Sequence, residues 1–392
     1  MSRGPWALLL LTACTGTAWT RPPPGERRDG SVAPDAGLDA AVRFDAGGDA
    51  AGPDAAVEFD GGFDAGFDGG FDAGPGDPCA DVRCMAHGRC IEGRCACVEG
   101  FVASGDQCVA EPVGDPASHT QAEVCARYRA SLAVSSGYYV AGEAMCDPGT
   151  LTRGGIDDAV RRLNFFRWLT GLGPVSAEDP TDNLQAQHCA MTSAWNPAGP
   201  GAHFPEPSAV CYTPEAAAGA GSSNIAWGRQ TGPSMIDQFM IDWGNDSTLG
   251  HRRWCLNPPL REVGVGIYHG GTSYGGASCL KVLGTGGGAT GASPPENVPY
   301  PPPGFVPVEL TRRQLWSLGG VRFSGEVTVT VTRASDGMAM PTTTMPLMGS
   351  YGQPTVAWRL DGWNPEPGDT YSVEVTDGAT TVAYEVRPVS CP

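Results

Sequence analysis

The sequence contains no apolar run long enough to cross a bilayer as a helix, so no part of it reads as a membrane span. It has no basic stripe, which removes nucleic acid from the partners that charge would suggest. Positive charge is scarce: 25 Lys and Arg stand against 43 Asp and Glu, for a net of −18. Most of the excess is local. Residues 29–77 hold eleven Asp and one Glu against Arg43 alone, a net of −11. The remainder is only mildly acidic, and its total charge names no partner.

Glycine, proline and cysteine are what the chain has in quantity. Its 392 residues could form two or three domains, but 56 Gly and 35 Pro crowd into particular segments that do not read as globular. The N-terminus, "MSRGPWALLLLTACTG", has a positive start and a short apolar core, the pattern of an export signal. Leu11-Thr12-Ala13-Cys14 resembles a bacterial lipobox, which implies lipidation at Cys14 and anchoring of the chain to the bacterial envelope, at the outer membrane or cell surface. More than one acyl chain makes such an anchor lasting. Thirteen further cysteines in an exported chain point to disulfides in an oxidising compartment.

With the signal and lipidation site assigned to 1–20, residues 21–77 read as a disordered Asp/Gly/Ala-rich tether. "FDGGFDAGFDGGFDAG" repeats a four-residue unit with too few apolar groups and too many like charges to offset chain entropy. About fifty such residues reach on the order of 40 Å end to end. A calcium-binding repeat fails on unit length.

The next segment, 78–110, carries cysteines at 79, 84, 90, 95, 97 and 108, for which sequence alone allows fifteen pairings. Its Cys95-x-Cys97 and Gly100-Phe101 resemble an EGF-like module. That resemblance implies Cys79–Cys90, Cys84–Cys95 and Cys97–Cys108, in a small structural spacer or contact module.

Residues 116–290 read as the main globular domain. "IDDAVRRLNFFRWLTGL" and "PTDNLQAQHCAMTSAW" carry helical periodicity, the second through Leu184, His188, Met191 and Trp195. "SMIDQFMIDW" adds a helix with Ser234 and Asp237 in capping-box positions and Ile236, Phe239, Met240 and Trp243 on its apolar face. "VGVGIY" and "CLKVLG" read as strands. Helices first and strands late indicate an α+β or layered α/β/α arrangement. After a Pro-rich linker at 291–305, residues 306–392 alternate strictly and read as a small antiparallel β-sandwich with Trp316, Trp358 and Trp363 in its core.

Four pieces of the central region together resemble the CAP superfamily of cysteine-rich secretory, antigen-five and pathogenesis-related proteins, in the bacterial type. They are "LNFFRWLTGLGPV", "AHFP", "SSNIAWG" and "GHRRWCLNP" with the following "VGVGIY". The resemblance covers roughly 155–285 and implies an α/β/α sandwich with a cleft. It assigns two cleft histidines to His203 and His251, and the cleft would comprise His203, Ser223, Asn224, Asp242, His251 and Arg252. The family's glutamate before Asn-Ile-Ala is replaced by Ser223, and a hydroxyl is a poor metal ligand. No resident cofactor is expected. A divalent cation such as zinc would need His203, His251 and one of Asp237, Asp242 or Asp246.

Each residue also has a plainer reading. His251 and His203 can pin loops through backbone carbonyls. His188 faces the core or is half-buried. Arg252 and Arg253 pair with Asp157 or Asp158, or line the cleft mouth. Ser223 sits in no Gly-x-Ser-x-Gly elbow and has no recognisable orienting acid. Taking the remaining cysteines in chain order gives Cys125–Cys146, Cys189–Cys211 and Cys255–Cys279, with Cys391 left over.

Three functions follow as expectations. The first is a surface-tethered, non-catalytic binding module for a lipid, an envelope component or a protein. The second is a metal-assisted extracellular hydrolase using His203 and His251. The third is an adhesive protein working through its EGF-like and β-sandwich parts.

Overall fold

The computed structural model describes residues 78–79, 82–196, 198, 200–228, 230–272, 274–285, 295–345 and 347–392. The export signal, the lipidation site at Cys14 and the tether at 21–77 lie outside the described residues.

Two hairpins open the described chain: β1 (Gly88–Ile91) with β2 (Arg94–Cys97), and β3 (Phe101–Ser104) with β4 (Gln107–Ala110). The bridges Cys79–Cys90, Cys84–Cys95 and Cys97–Cys108 hold them, the pairs the EGF-like resemblance implies. So short a segment cannot bury an adequate core, so covalent links carry its fold. The unit is docked on the helices that follow. Arg89 pairs with Asp157, Arg127 with Glu111, and the Asn164 amide donates to the Glu99 carbonyl at 3.3 Å.

The helical region comprises α1 (Gln121–Ser131), a short hairpin of β5 (Tyr139–Val140) and β6 (Thr150–Leu151), α2 (Arg153–Leu169), α3 (Pro180–Trp195) and α4 (Pro214–Ala220). Then come β7 (Ser223–Trp227), α5 (Gly232–Ile241), α6 (Gly250–Cys255), β8 (Gly264–His269) and β9 (Gly276–Lys281). Thr152 caps α2, accepting a hydrogen bond from Gly155, and the predicted apolar positions Ile156, Val160, Leu163 and Phe166 are buried. In α5 the capping box is one turn earlier than its sequence suggests: Thr231 is the cap and Ser234 its third-position partner. The helix ends at Ile241 because Asp242 turns left-handed (φ 59°), which puts Trp243 outside the core and 47% exposed.

The three-stranded antiparallel sheet has the order β7-β9-β8, and strand alternation gives it two distinct faces. Ile225, Trp227, Tyr268, Ala277 and Cys279 pack with α3. Ala226, Val265, Ile267 and Leu280 join the core formed by α2 and α5. Helices thus pack on both faces of this sheet, in a mixed α+β arrangement. On the α3 side the approach is backbone to backbone. A Cβ at Gly264 or Gly266 would stand 2.2 or 2.1 Å from the carbonyl oxygens of Asp182 and Ala186. Ala186, Ala190 and Ala194 lie on the buried face of α3, Asn183 and Gln187 hydrogen-bond the β8 backbone at Val265 and Ile267, and Leu184, expected on the buried face, is 48% exposed. Lys281, the chain's single lysine, is buried on the same side against Asp182.

Nine strands follow: β10 (Val298–Tyr300), β11 (Gly304–Pro307), β12 (Trp316–Gly319), β13 (Thr328–Arg333), β14 (Met338–Met340), β15 (Thr342–Met345), β16 (Thr355–Leu360), β17 (Tyr371–Thr376) and β18 (Thr381–Val389). They form one sheet ordered β10-β12-β16-β15 and another ordered β11-β18-β17-β13-β14. Two expectations fail. The second sheet is mixed, because β11 runs parallel to β18. The Pro-rich 291–305 is not simply a linker, because Val298 and Tyr300 are buried in β10. One apolar cluster runs from Phe166 and Phe239 through Tyr300 to Trp316, Trp358 and Val373, so the C-terminal sheets share a core with the helices. Among the described residues no helix is long and apolar enough to cross a membrane.

The chain-order disulfides are also corrected. The bridges are Cys125–Cys391, Cys146–Cys211 and Cys189–Cys279, and Cys255 is the free, buried thiol. Cys279 points to the α3 face of the sheet, where Cys189 lies. Cys255 sits beyond the opposite face, so a Cys255–Cys279 bond is geometrically closed. Cys125–Cys391 spans 266 residues and ties the last turn of the chain to α1. Replacing both with Ser should lower stability by about 2–4 kcal/mol in urea denaturation without changing the helical content; an unchanged midpoint would show the tie to be idle.

Candidate functional site

The segment from Asp242 to Cys255 folds back between two left-handed residues, Asp242 (φ 59°) and Leu249 (φ 47°), and starts α6 at Gly250. Its hub is Asp242. This carboxylate is fully buried, accepts from the Arg252 backbone N–H at 3.2 Å and from the Asn245 amide at 3.2 Å, and lies 2.8 Å from His251 Nδ1. The His251 contact is close but off the N–H axis, since Nδ1 makes no directed hydrogen bond. The imidazole is 7% exposed and meets Phe239 edge-on, with ring centroids 5.2 Å apart. From the sheet, Asn224 donates to the His251 carbonyl at 3.0 Å and pins the α6 backbone.

Asp242 is thus the acid that meets His251. Asp237 is instead paired with Arg162, and Asp246 is exposed.

Both arginines after His251 are structural. Arg252 is 1% exposed and donates to the carbonyls of Met240 (2.6 Å), Ile241 (3.3 Å) and Leu315 (2.6 Å), to the Gln314 side chain (3.1 Å) and to Ser317 (3.4 Å). Its guanidinium also lies 4.7 Å from the Tyr300 ring centroid. Arg253 donates to Thr248, Met348, Gly349 and Gln353 carbonyls. Neither reaches Asp157 or Asp158. Asp157 pairs with Arg89 and Arg153, and Asp158 pairs with Arg161. Arg167 adds a third anchor, donating to Gly173, Cys255, Asn257 and Leu260 carbonyls. Burial pushes its guanidinium down to about 9, still charged at neutral pH.

The remaining cleft candidates separate. Ser223 and Asn224 are consecutive in β7, so their side chains take opposite faces. Asn224 faces α6. Ser223 lies opposite Lys281 on the α3 side, its hydroxyl buried without a hydrogen-bond partner. His203 ends a short 3-10 turn (Pro200–His203), half-buried, with Nδ1 3.0 Å from the Ala220 carbonyl at the end of α4. The Ala220 contact of His203 lies at the end of α4, whereas His251 meets Asp242 and Phe239 at the end of α5. Among the described residues no three His, Cys, Asp or Glu side chains are grouped so as to hold a metal ion.

His188 is half-buried as expected, 3.0 Å from Thr213 Oγ1. Sequence reading passed over Gly271-Thr272-Ser273-Tyr274-Gly275, which has the Gly-x-Ser-x-Gly spelling. It joins β8 to β9, a hairpin rather than a strand-to-helix turn, and so is not a nucleophile elbow. No protein-family model and no curated protein matches the chain.

Two measurements follow. Arg252→Met strands five acceptors and should cost about 3 kcal/mol or more, and Arg252→Lys should recover little because it has no planar fork; urea midpoints near wild type for both would contradict the anchoring role. Burial pushes the Cys255 thiol up to about 12. Peptide mapping after iodoacetamide at pH 8 should therefore find Cys255 unmodified until denaturant is added.

Proposed function

We propose that the chain is an exported, disulfide-braced binding module of CAP type, lipid-anchored at Cys14, whose central region binds without reacting. The observation that carries this reading is the enclosure of His251. A general base or a metal ligand must reach a substrate or an ion. His251 is sealed between Asp242 and Phe239, and the residues around it are committed to backbone carbonyls. Six disulfides support an oxidising compartment, and helix–sheet–helix layering agrees with the fold the resemblance implies. The resemblance makes a lipid or another envelope component the first ligand to test in that region. The continuous core speaks for the C-terminal sheets as part of the same module rather than a separate adhesive arm.

The test is zinc titration of the purified chain by calorimetry, alongside His251→Ala. The expected outcome is no equimolar zinc uptake, and a variant that is destabilised by about 1–3 kcal/mol because the buried Asp242 loses one of its polar contacts. Tight equimolar zinc that disappears in both His203→Ala and His251→Ala would overturn this reading in favour of a metal site.

A further inference from the structure

The longest strand of the C-terminal sheets, β18, has nine residues, but β11 pairs only with Val386–Val389. Among the described residues nothing pairs with Thr381–Glu385 on that side. Free strand edges are normally covered or blunted because they invite a further strand.

A cavity of about 500 Å³ lies against this open half-edge. Its wall includes Val382, Ala383, Tyr384 and Glu385 in unbroken succession. The lining also holds Pro303 and Gly304 at the start of β11, so the cavity lies on the β11 side of the strand. The Pro388 carbonyl accepts from Gly368 on the β17 side, so residues 386, 384 and 382 also address β17. Ala383, one step out of phase, turns its N–H and C=O toward the cavity. The lining also includes Pro116, Pro295, Pro299 and Pro303, which have no N–H to offer the edge.

Charge selects the occupant. The lining holds Asp115, Glu296 and Glu385 against Arg387, whose guanidinium is already 2.8 Å from Glu385. The chain's own segment 29–77, at net −11, is repelled by such a wall. We propose that this notch takes a basic, extended peptide segment of a partner protein as an added strand on the open edge of β18. Edge addition draws affinity from main-chain hydrogen bonds and specificity from side-chain surroundings. The proposal rests on the binding-module reading but uses neither His203 nor His251, so zinc uptake would overturn that reading and leave the peptide result to stand or fall separately.

The experiment uses the full chain and three labelled octapeptides in fluorescence anisotropy. One alternates Lys with Val, one alternates Glu with Val, and the third is the Lys peptide with alternate backbone nitrogens methylated. The basic peptide should bind, with the other two weaker by roughly tenfold or more. Bound peptide should slow exchange of the Ala383 amide, and Glu296→Lys with Glu385→Lys should weaken binding while the circular dichroism spectrum stays unchanged. Equal binding of the acidic or methylated peptide would overturn the proposal. So would absence of binding up to millimolar concentration, or protection of Ala383 by self-association of the chain without peptide.

Discussion

The structure turns on burying guanidinium groups among backbone carbonyls. Moving a charge out of water costs several kcal/mol unless hydrogen bonds replace its hydration, and an arginine presents five donors in a fixed plane. Arg252 spends that plane on the end of α5 and on the segment leading into β12. Arg253 closes the loop carrying Met348 and Gly349, and Arg167 gathers the carbonyls after α6. These are segments with irregular backbone, whose carbonyls would otherwise be buried without partners. The arginines therefore make a shared core between helices and C-terminal sheets possible, because apolar packing alone would leave those carbonyls unsatisfied.

The same anchoring explains why the histidine segment is rigid. His251 does not hold α6 in place; the Asn224 amide, the Asp242 carboxylate and the two following arginines do. A left-handed Asp at the end of α5 serves twice, stopping the helix and aiming a carboxylate at the start of α6. Acid and imidazole are thus brought together from positions only nine apart in the chain, without the glutamate that the resemblance would have supplied from β7.

What could be read from the residues was local. Periodicity gave α2 and α3, alternation gave the late strands, and the six cysteines of the small module followed from a resemblance. Nonlocal matters did not show. Cys189 meets Cys279 because strand alternation in β9 puts that cysteine on the α3 face, and chain order carries no trace of register. Leu184 reads as core because it is apolar, but two glycines in β8 bring the strand backbone against α3, where Asn183 and Gln187 bond it, and Leu184 is left exposed. Arg252 and Arg253 were matched to acids because charge is visible in a sequence, whereas their actual partners are carbonyls, which every residue has.

A shared core also bears on how the parts can be separated. Removing residues 300–392 would strip Arg252 of the Leu315, Gln314 and Ser317 acceptors and uncover the cluster around Phe166 and Phe239. It would also take Cys391 from Cys125. Loss of binding after such a deletion would report an unfolded helical region as readily as a missing contact surface. Substitutions confined to the open edge of β18, far from these anchors in the hydrogen-bond pattern, keep the core intact and are the ones whose effects can be assigned to recognition.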